Sequence, residues 1–213
     1  EQRIRQARRI SAMNNGIRCD IEDRPFEPAA NIRAFTEPSD RIGRDLGRRA
    51  KAGDIGDRFG AAAVPALLAP AVSGATRDAV PGELLVAVDP AYAGTGPLGF
   101  AHLLWLAADD GAPTAHLEQL SVRLPEHGRR GVGTALVHAA CEEARWAGHD
   151  SLTLCTYRDV PWNGPFYRRL GFSEDPAPPP HLARIRRHEQ DLGLDRCGAR
   201  EVLRRHLDRS SRA

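Results

Sequence analysis

Three glycines and two arginines lie close together in a basic glycine loop, which reads Gly128-Arg129-Arg130-Gly131-Val132-Gly133-Thr134. Glycines let backbone amides approach a ligand closely, and guanidinium groups attract anions. The residues that follow recur at helical spacing, so the loop opens a helix whose dipole adds partial positive charge at its start. The sequence therefore predicts an anion site here, and a phosphate or pyrophosphate suits it.

Two familiar kinds of phosphate-binding loop do not fit this segment. A Walker loop requires a lysine followed by serine or threonine, and the single lysine of the chain is Lys51, far from the loop. A dinucleotide-binding loop requires a small residue where Leu136 stands. It also requires an acidic residue for the ribose, and the strand predicted over Ser151–Thr156 ends without one. The pattern therefore favours a third kind of loop.

A second motif follows that strand. It contains Asn163, then Phe166-Tyr167 in a short predicted helix, then Leu170-Gly171-Phe172. Together the two motifs resemble those of the GNAT superfamily of N-acetyltransferases. The acyl-CoA loop of that family reads Gln/Arg-x-x-Gly-x-Gly/Ala after a strand that ends near a proline.

The match to this loop is close at the later positions. Gly131 and Gly133 fit the two glycine positions, Gly128 stands where the family has Gln or Arg, and Pro125 ends the preceding strand. The departure at Gly128 removes one side-chain contact, for which Arg129 is a substitute donor. The resemblance extends over about Asn31–Arg205 and is strongest over 117–172.

The resemblance implies a single α/β (α+β) domain with a GNAT-like mixed, mostly antiparallel sheet of six to seven strands flanked by helices. Alternating and apolar runs predict strands over 31–35, 83–89, 98–107, 117–124, 151–156 and 200–204. Helical spacing, caps and breakers predict helices over 36–59, 61–72, 132–148 and 182–192. In this organisation residues 1–30 are a charged N-terminal extension, 31–207 the acetyltransferase domain and 208–213 a tail.

The resemblance also implies how acetyl-CoA, the cosubstrate, is held. Main-chain groups of three strand residues pair with the pantetheine amides, and these residues are Leu120, Ser121 and Val122. The Val122 amide faces the thioester oxygen. The pyrophosphate lies against Gly128, Arg129, Arg130, Gly131, Val132, Gly133 and Thr134. Asn163 matches a position that hydrogen-bonds the pantetheine arm or the phosphates, and otherwise is an ordinary turn residue.

Acyl transfer to an amine needs a base for the nitrogen proton and an acid for the departing thiolate. Tyr167 matches the family tyrosine that protonates the coenzyme A sulfur, and otherwise its ring packs beneath the cofactor. As base we favour Glu118, then His116, then Asp159. Glu118 and His116 are two apart on one strand and share a face, where arylalkylamine acetyltransferases carry paired histidines. The alternative is that both are solvated or salt-bridged strand residues.

Composition limits the rival functions. The net charge of +2 with interleaved acids and bases does not favour a nucleic-acid binder. The four cysteines are widely spaced, with no CxxC pair and no histidine cluster, which predicts reduced thiols, no metal site and a cytoplasmic protein. No apolar run approaches the roughly 18 residues that a membrane helix needs, so we expect no membrane partner.

The acceptor and two other functions stay open. The acceptor is a small-molecule or peptide amine, such as a lysine, an aminoglycoside or a polyamine. Members of the family often dimerise, so the resemblance implies a homodimer. A non-catalytic acyl-CoA sensor would keep the loop and need neither Tyr167 nor Glu118. A nucleic-acid binder would use the arginine-rich segment 1–28, the one segment of the sequence that suits this role.

Overall fold

A computed structural model describes residues 32–34, 76–77, 79–88, 97–108, 113–122 and 131–207. The helices predicted over 36–59 and 61–72 lie outside these residues, as do Gly128, Arg129 and Arg130. The strands of the described part are β1 Ile32–Ala34, β2 Gly82–Ala87, β3 Gly99–Leu106, β4 Thr114–Val122, β5 Ser151–Tyr157, β6 Ser173–Glu174 and β7 Arg200–His206. The helices are α1 Val132–Trp146, α2 Gly164–Arg169 and α3 Pro180–Asp191, with a 3-10 turn at Leu194–Cys197.

The strands form one sheet in the order β1-β2-β3-β4-β5-β7-β6. Every neighbouring pair is antiparallel except β4 and β5, which run parallel. The parallel pair is connected through α1, because parallel strands need a crossover. This mixed, mostly antiparallel sheet confirms the predicted fold class. The short strand β6 and the 3-10 turn were not predicted, since two to four residues carry little periodicity.

Helix α1 covers one face of the sheet. Its side chains Leu136 and Val137 are fully buried, together with the alanines Ala140 and Ala144. They join a cluster with sheet residues such as Leu103 and others from β2, β4, β5 and β7. Full burial of each leucine stabilises the fold by about 1.5–3 kcal/mol, so this face holds the main core. The core therefore fixes the start of α1 against the end of β4.

The other face of the sheet is more polar. Side chains alternate along β4, so Thr114 and His116 point away from the α1 core while Ala115 and Leu117 join it. Helix α3 lies on this second face, because His181 of α3 hydrogen-bonds Thr114 Oγ1 at 3.0 Å. Among the helices described, none has the length and apolar character to span a bilayer.

Candidate active site

The central feature is an opening between β4 and β5. The two strands pair at Ala115 with Leu152 and at His116 with Thr153. Beyond this point β4 continues to Val122 beside β3, and β5 continues to Tyr157 beside β7. The described pairing between β4 and β5 stops there, so the strands separate toward their carboxyl ends. The separation leaves backbone donors and acceptors along a slot in the middle of the sheet.

Three elements meet at the wide end of this slot. A Cβ atom added to Gly133 in the first turn of α1 would lie 3.6 Å from Phe166 Cζ and 3.6 Å from Val122 Cγ2. Phe166 belongs to α2, and its ring centroid is 5.1 Å from that of Tyr167. The structure therefore brings Val122, Gly133 and Phe166 together, with Tyr167 beside Phe166, although the sequence separates Val122 from Phe166 by 44 positions.

The start of α1 has the geometry of an anion site. Gly131 precedes the helix in the left-handed conformation with φ of 80°, which glycine adopts without strain. The first intrahelical bond runs from the Ala135 amide to the Gly131 carbonyl at 2.9 Å. The amides of Val132, Gly133 and Thr134 come before that bond, and the first turn has no acidic residue. The exposed Gly131 has open space where a side chain would be.

The remaining backbone candidates line the slot on β4. Ser121 is buried on the second face, where its Oγ accepts a hydrogen bond from Gln119 Nε2 at 3.1 Å. Leu120 and Val122 are partly buried and pack against the core beneath α1. Asn163 is half-buried at the start of α2, where its carbonyl accepts the Tyr167 amide at 3.0 Å. Its side chain makes no capping bond to α2.

A β-bulge directs Glu118. The register between β3 and β4 passes from His102 opposite Gln119 to Leu103 opposite Leu117, so Glu118 is an extra residue on β4. A bulge bends its strand and re-aims the extra side chain. The Glu118 side chain is 46 % exposed, and its Oε2 is 4.0 Å from Nε2 of His116. The two base candidates thus lie beside each other, whereas the third, Asp159, is exposed after β5.

His116 is held in one protonation state. The side chain is buried, and burial, with a smaller effect of His181, lowers the pKa of His116 to about 4. The Thr153 hydroxyl donates its proton to the Ala115 carbonyl at 3.0 Å. The same oxygen is 3.0 Å from His116 Nδ1, so Nδ1 must carry the hydrogen and donate it. The lone pair of the neutral ring is therefore on Nε2, the nitrogen nearest Glu118.

Tyr167 is enclosed by aromatic rings. It is 8 % exposed, and its ring makes edge contacts with Phe166 and with Phe172, whose centroid is 5.7 Å away. Burial raises the pKa of Tyr167 well above its ordinary value. The phenol consequently stays protonated at physiological pH. The bound proton is what a donor needs, and it excludes a role as resting base, although the same shift makes the phenol a weaker acid.

Two contacts hold α2 in position. Arg168 Nη2 contacts both carboxylate oxygens of Glu201 on β7, at 2.7 Å and 2.5 Å, and the Glu201 side chain is fully buried. At the start of α2, a Cβ atom on Gly164 would lie 2.2 Å from the carbonyl oxygen of Arg158. Only glycine allows this approach, so the Asn-Gly pair fixes α2 against the end of β5.

A cleft of about 580 Å³ opens on the second face of the sheet beside Glu118. Its described walls are both apolar and polar. The apolar residues are Val80, Leu104, Leu106, Ala107 and Ile185, and the polar ones include Arg77, His102, His181, Arg184 and His188. Arg77 donates from Nη2 to Gln119 Oε1 at 2.6 Å, and its Nη1 is 3.4 Å from His102 Nδ1. Burial, followed by the charge of Arg77, lowers the pKa of His102 to about 4.

Sequence reasoning missed Arg77, His102, Gln119 and Thr153. His102 and Thr153 stand at alternate positions of predicted strands, where polar residues on a buried strand are a detectable signal. Arg77 lies in a segment without a motif. Its position became visible only through its contacts with β3 and β4.

The sheet order and the slot between its two parallel strands define a domain of the α/β class. Residues 81–174 match the family model of the acetyltransferase (GNAT) domain. This segment is therefore similar to the family that its two motifs resemble.

Solved structures share this fold. An acetyltransferase of the GNAT family from Staphylococcus aureus MU50 has a TM-score of 0.54 at 13 % identity, covering 83 % of this chain and 99 % of that one. A GCN5-related N-acetyltransferase from Rhodopseudomonas palustris has a TM-score of 0.51 at 17 % identity, covering 83 % and 94 %. N-acetylglutamate synthase from Neisseria gonorrhoeae, complexed with coenzyme A and N-acetyl-glutamate, has a TM-score of 0.43 at 20 % identity. That alignment covers 59 % of this chain and 26 % of the synthase, so the match spans about a quarter of it.

Proposed function

We propose that this protein transfers an acetyl group from acetyl-CoA to a primary amine by direct attack in a ternary complex. One observation carries the proposal: the slot between β4 and β5 has the open start of α1 and Tyr167 at its wide end and Glu118 on its edge. A long, thin thioester with a diphosphate end fits such a slot. The amine then reaches the thioester from the side of the Glu118 cleft.

The binding residues follow from this arrangement. The amides of Gly131–Thr134 and the helix dipole suit the diphosphate, and Arg129 and Arg130 of the adjoining loop add positive charge. Backbone groups of Leu120, Ser121 and Val122 suit the amides of the pantetheine arm, as strand-like pairing would require. Asn163, at the other side of the slot, is a further donor for that arm.

Glu118 and His116 suit the amine. The Glu118 carboxylate and the neutral His116 Nε2 are both acceptors, they lie 4.0 Å apart, and neither can donate to the other. Both groups can therefore accept hydrogen bonds from the N–H groups of one amine. Glu118 takes the nitrogen proton, and His116 helps to orient the nitrogen lone pair toward the thioester carbonyl.

Tyr167 serves the leaving group. The amine nitrogen first adds to the thioester carbonyl, which forms the C–N bond and an oxyanion. Collapse of this intermediate breaks the C–S bond, and Tyr167 donates its phenol proton to the departing sulfur. Solvent then carries the proton from Glu118 back to Tyr167, so the products are the amide and the free thiol. The Val122 amide stabilises the oxyanion on the carbonyl oxygen.

The cysteines support direct attack. Burial is the main reason that the pKa of Cys141 is raised to about 11 and that of Cys155 to about 12. Neither thiol is therefore a thiolate at neutral pH, and a thiolate is the nucleophilic form. Cys197 is buried as well. An acyl-enzyme intermediate on these described cysteines is not favoured.

The test is an amine screen with acetyl-CoA, read by thiol release and by mass spectrometry of the product. Tyr167→Phe removes the proton donor and keeps the ring, so kcat should fall by about 10²–10⁴-fold while acetyl-CoA affinity stays within about threefold. Glu118→Gln should lower kcat and shift the pH profile. Arg187→Met, an exposed change on α3, is the control.

The same experiment separates the main alternative. Tight binding of acetyl-CoA in calorimetry with no thiol release on any amine would favour an acyl-CoA sensor. Absence of acetyl-CoA binding would refute both functions. We also propose that the protein acts in the cytoplasm, which a fusion to a fluorescent marker would test.

A further inference from the structure

Two buried donors in the cleft beside Glu118 have no hydrogen-bond acceptor within the part of the chain that the structure describes. They are Nε of Arg77 and Nε2 of His102. Arg77 is 7 % exposed and His102 is 5 % exposed, and both residues line the cleft. A buried donor without an acceptor destabilises a protein by about 1–3 kcal/mol. Such a group needs an explanation, and an acceptor supplied by a bound ligand is one.

Nε of Arg77 is a donor in every state of the side chain, because arginine has no acceptor. Nη1 of Arg77 lies 3.4 Å from Nδ1 of His102, and His102 is neutral at pH 7 because its pKa is about 4. When Nδ1 accepts from Arg77, the hydrogen of the neutral ring is on Nε2. The cleft thus holds one guanidinium N–H without an acceptor among the described residues, beside an imidazole that can donate a second hydrogen bond.

Within the described part of the chain, the hydrogen-bond partners of Arg77 are uncharged. They are Gln119 and His102, and the guanidinium lies 5.3 Å from the centre of the Phe100 ring. Burial lowers the pKa of Arg77, and the charge of Glu118 only partly opposes that effect. A buried cation whose described hydrogen-bond partners are all uncharged is costly, which favours an anionic ligand at this position.

We propose that this cleft is the acceptor site and that it takes primary amines carrying a carboxylate and an apolar body. Arg77 and His102 hold the carboxylate, and the amine lies toward Glu118. The apolar part of the acceptor lies along Leu104, Leu106 and Ile185, which line the same cleft. A volume of about 580 Å³ suits an amino acid or a molecule of similar size. This inference rests on the proposed function.

The turnover test uses matched amines with and without a carboxylate. The informative pair is 6-aminohexanoate and hexylamine, whose amino groups have similar pKa values. L-leucine with 3-methylbutylamine and L-phenylalanine with 2-phenylethylamine test a carboxylate next to the amine. For at least one pair the wild type should favour the carboxylate by about 10- to 100-fold in kcat/KM, the range of one charge-assisted hydrogen-bonded contact.

The variants locate the effect. Arg77→Met keeps the apolar stem and should reduce that preference to about onefold. Arg187→Met, exposed on α3, should keep the preference of the wild type. If Arg77→Met does not fold, the wild-type comparison still decides, because equal kcat/KM values within all three pairs overturn the inference.

A binding measurement separates this inference from the proposed function. Calorimetry with 3-phenylpropionate and its neutral amide, 3-phenylpropionamide, needs no turnover. Binding of the acid alone, lost in Arg77→Met, supports the anion site even if no amine is acetylated. Acetylation of neutral amines at full rate, with no heat from 3-phenylpropionate, would overturn the anion site and leave the proposed function standing.

Discussion

Replacing Thr153 by valine tests the hydrogen-bond chain behind the base candidates. Thr153 is fully buried, and valine has nearly the same shape, so packing is conserved while the hydroxyl is lost. His116 Nδ1–H then lacks its acceptor, because that hydroxyl oxygen is the group 3.0 Å away. An unsatisfied buried donor costs about 1–3 kcal/mol. We therefore expect the free energy of unfolding of Thr153→Val to be about 2 kcal/mol lower than that of the wild type.

The loss should appear in both stability and catalysis. For a protein of this size each kcal/mol changes Tm by about 2–4 °C, so the melting temperature should fall by about 4–8 °C. The His116 ring can recover one bond by moving its hydrogen to Nε2. That change would place a donor beside Glu118 where the amine needs an acceptor, and kcat/KM for any accepted amine should fall by about tenfold.

Thr153→Ser is the matched control, because it keeps the hydroxyl and removes one methyl group. It should keep the kinetics of the wild type and lose less than about 1.5 kcal/mol of stability. Equal losses in the serine and valine variants would show that the methyl group matters and the hydroxyl does not. A valine variant as stable and active as the wild type would refute the proposed role of the hydrogen-bond chain through Thr153.

Three further predictions concern packing and pH. Gly164→Ala places a Cβ atom 2.2 Å from the Arg158 carbonyl oxygen, so it should destabilise the fold by about 1–3 kcal/mol in a denaturant melt and displace α2. His102 and His116 both have pKa values of about 4, below the ordinary value of 6.5. Between these values the unfolded chain binds more protons than the folded protein. The contribution of the two neutral histidines to stability is therefore full above pH 6.5 and is lost as pH falls toward 4. Thermal melts should show Tm falling over that window, and a flat profile would contradict both values. Burial, reinforced by the charge of Glu83, raises the pKa of Glu143 from 4.5 to about 7. Ionisation of Glu143 therefore destabilises the fold as pH rises from 4.5 to 7. Glu143→Gln should raise Tm at pH 8 and leave it nearly unchanged at pH 4.5.

The sheet was predictable where local pattern is strong. The run Ser151–Thr156 alternates and becomes β5, and the helix spacing after the glycine loop becomes α1. The pairing of His116 with Glu118 followed from their spacing on one strand. The bulge at Glu118 was not predictable, because it exists only in the register between β4 and β3. Nor was the tautomer of His116, which depends on a residue 37 positions away.

By itself the sequence indicated the resemblance to the GNAT family, six of the seven described strands and the residues at the start of α1 and α2. Those features depend on glycines, prolines and periodicity within a few turns of chain, which act locally. Tertiary structure alone decided which side chains share the cleft beside Glu118. Arg77, His102 and Glu118 come from separate segments. The lowered pKa values of Arg77 and His102, and their nitrogens without a partner among the described residues, arise from burial that only the assembled sheet creates.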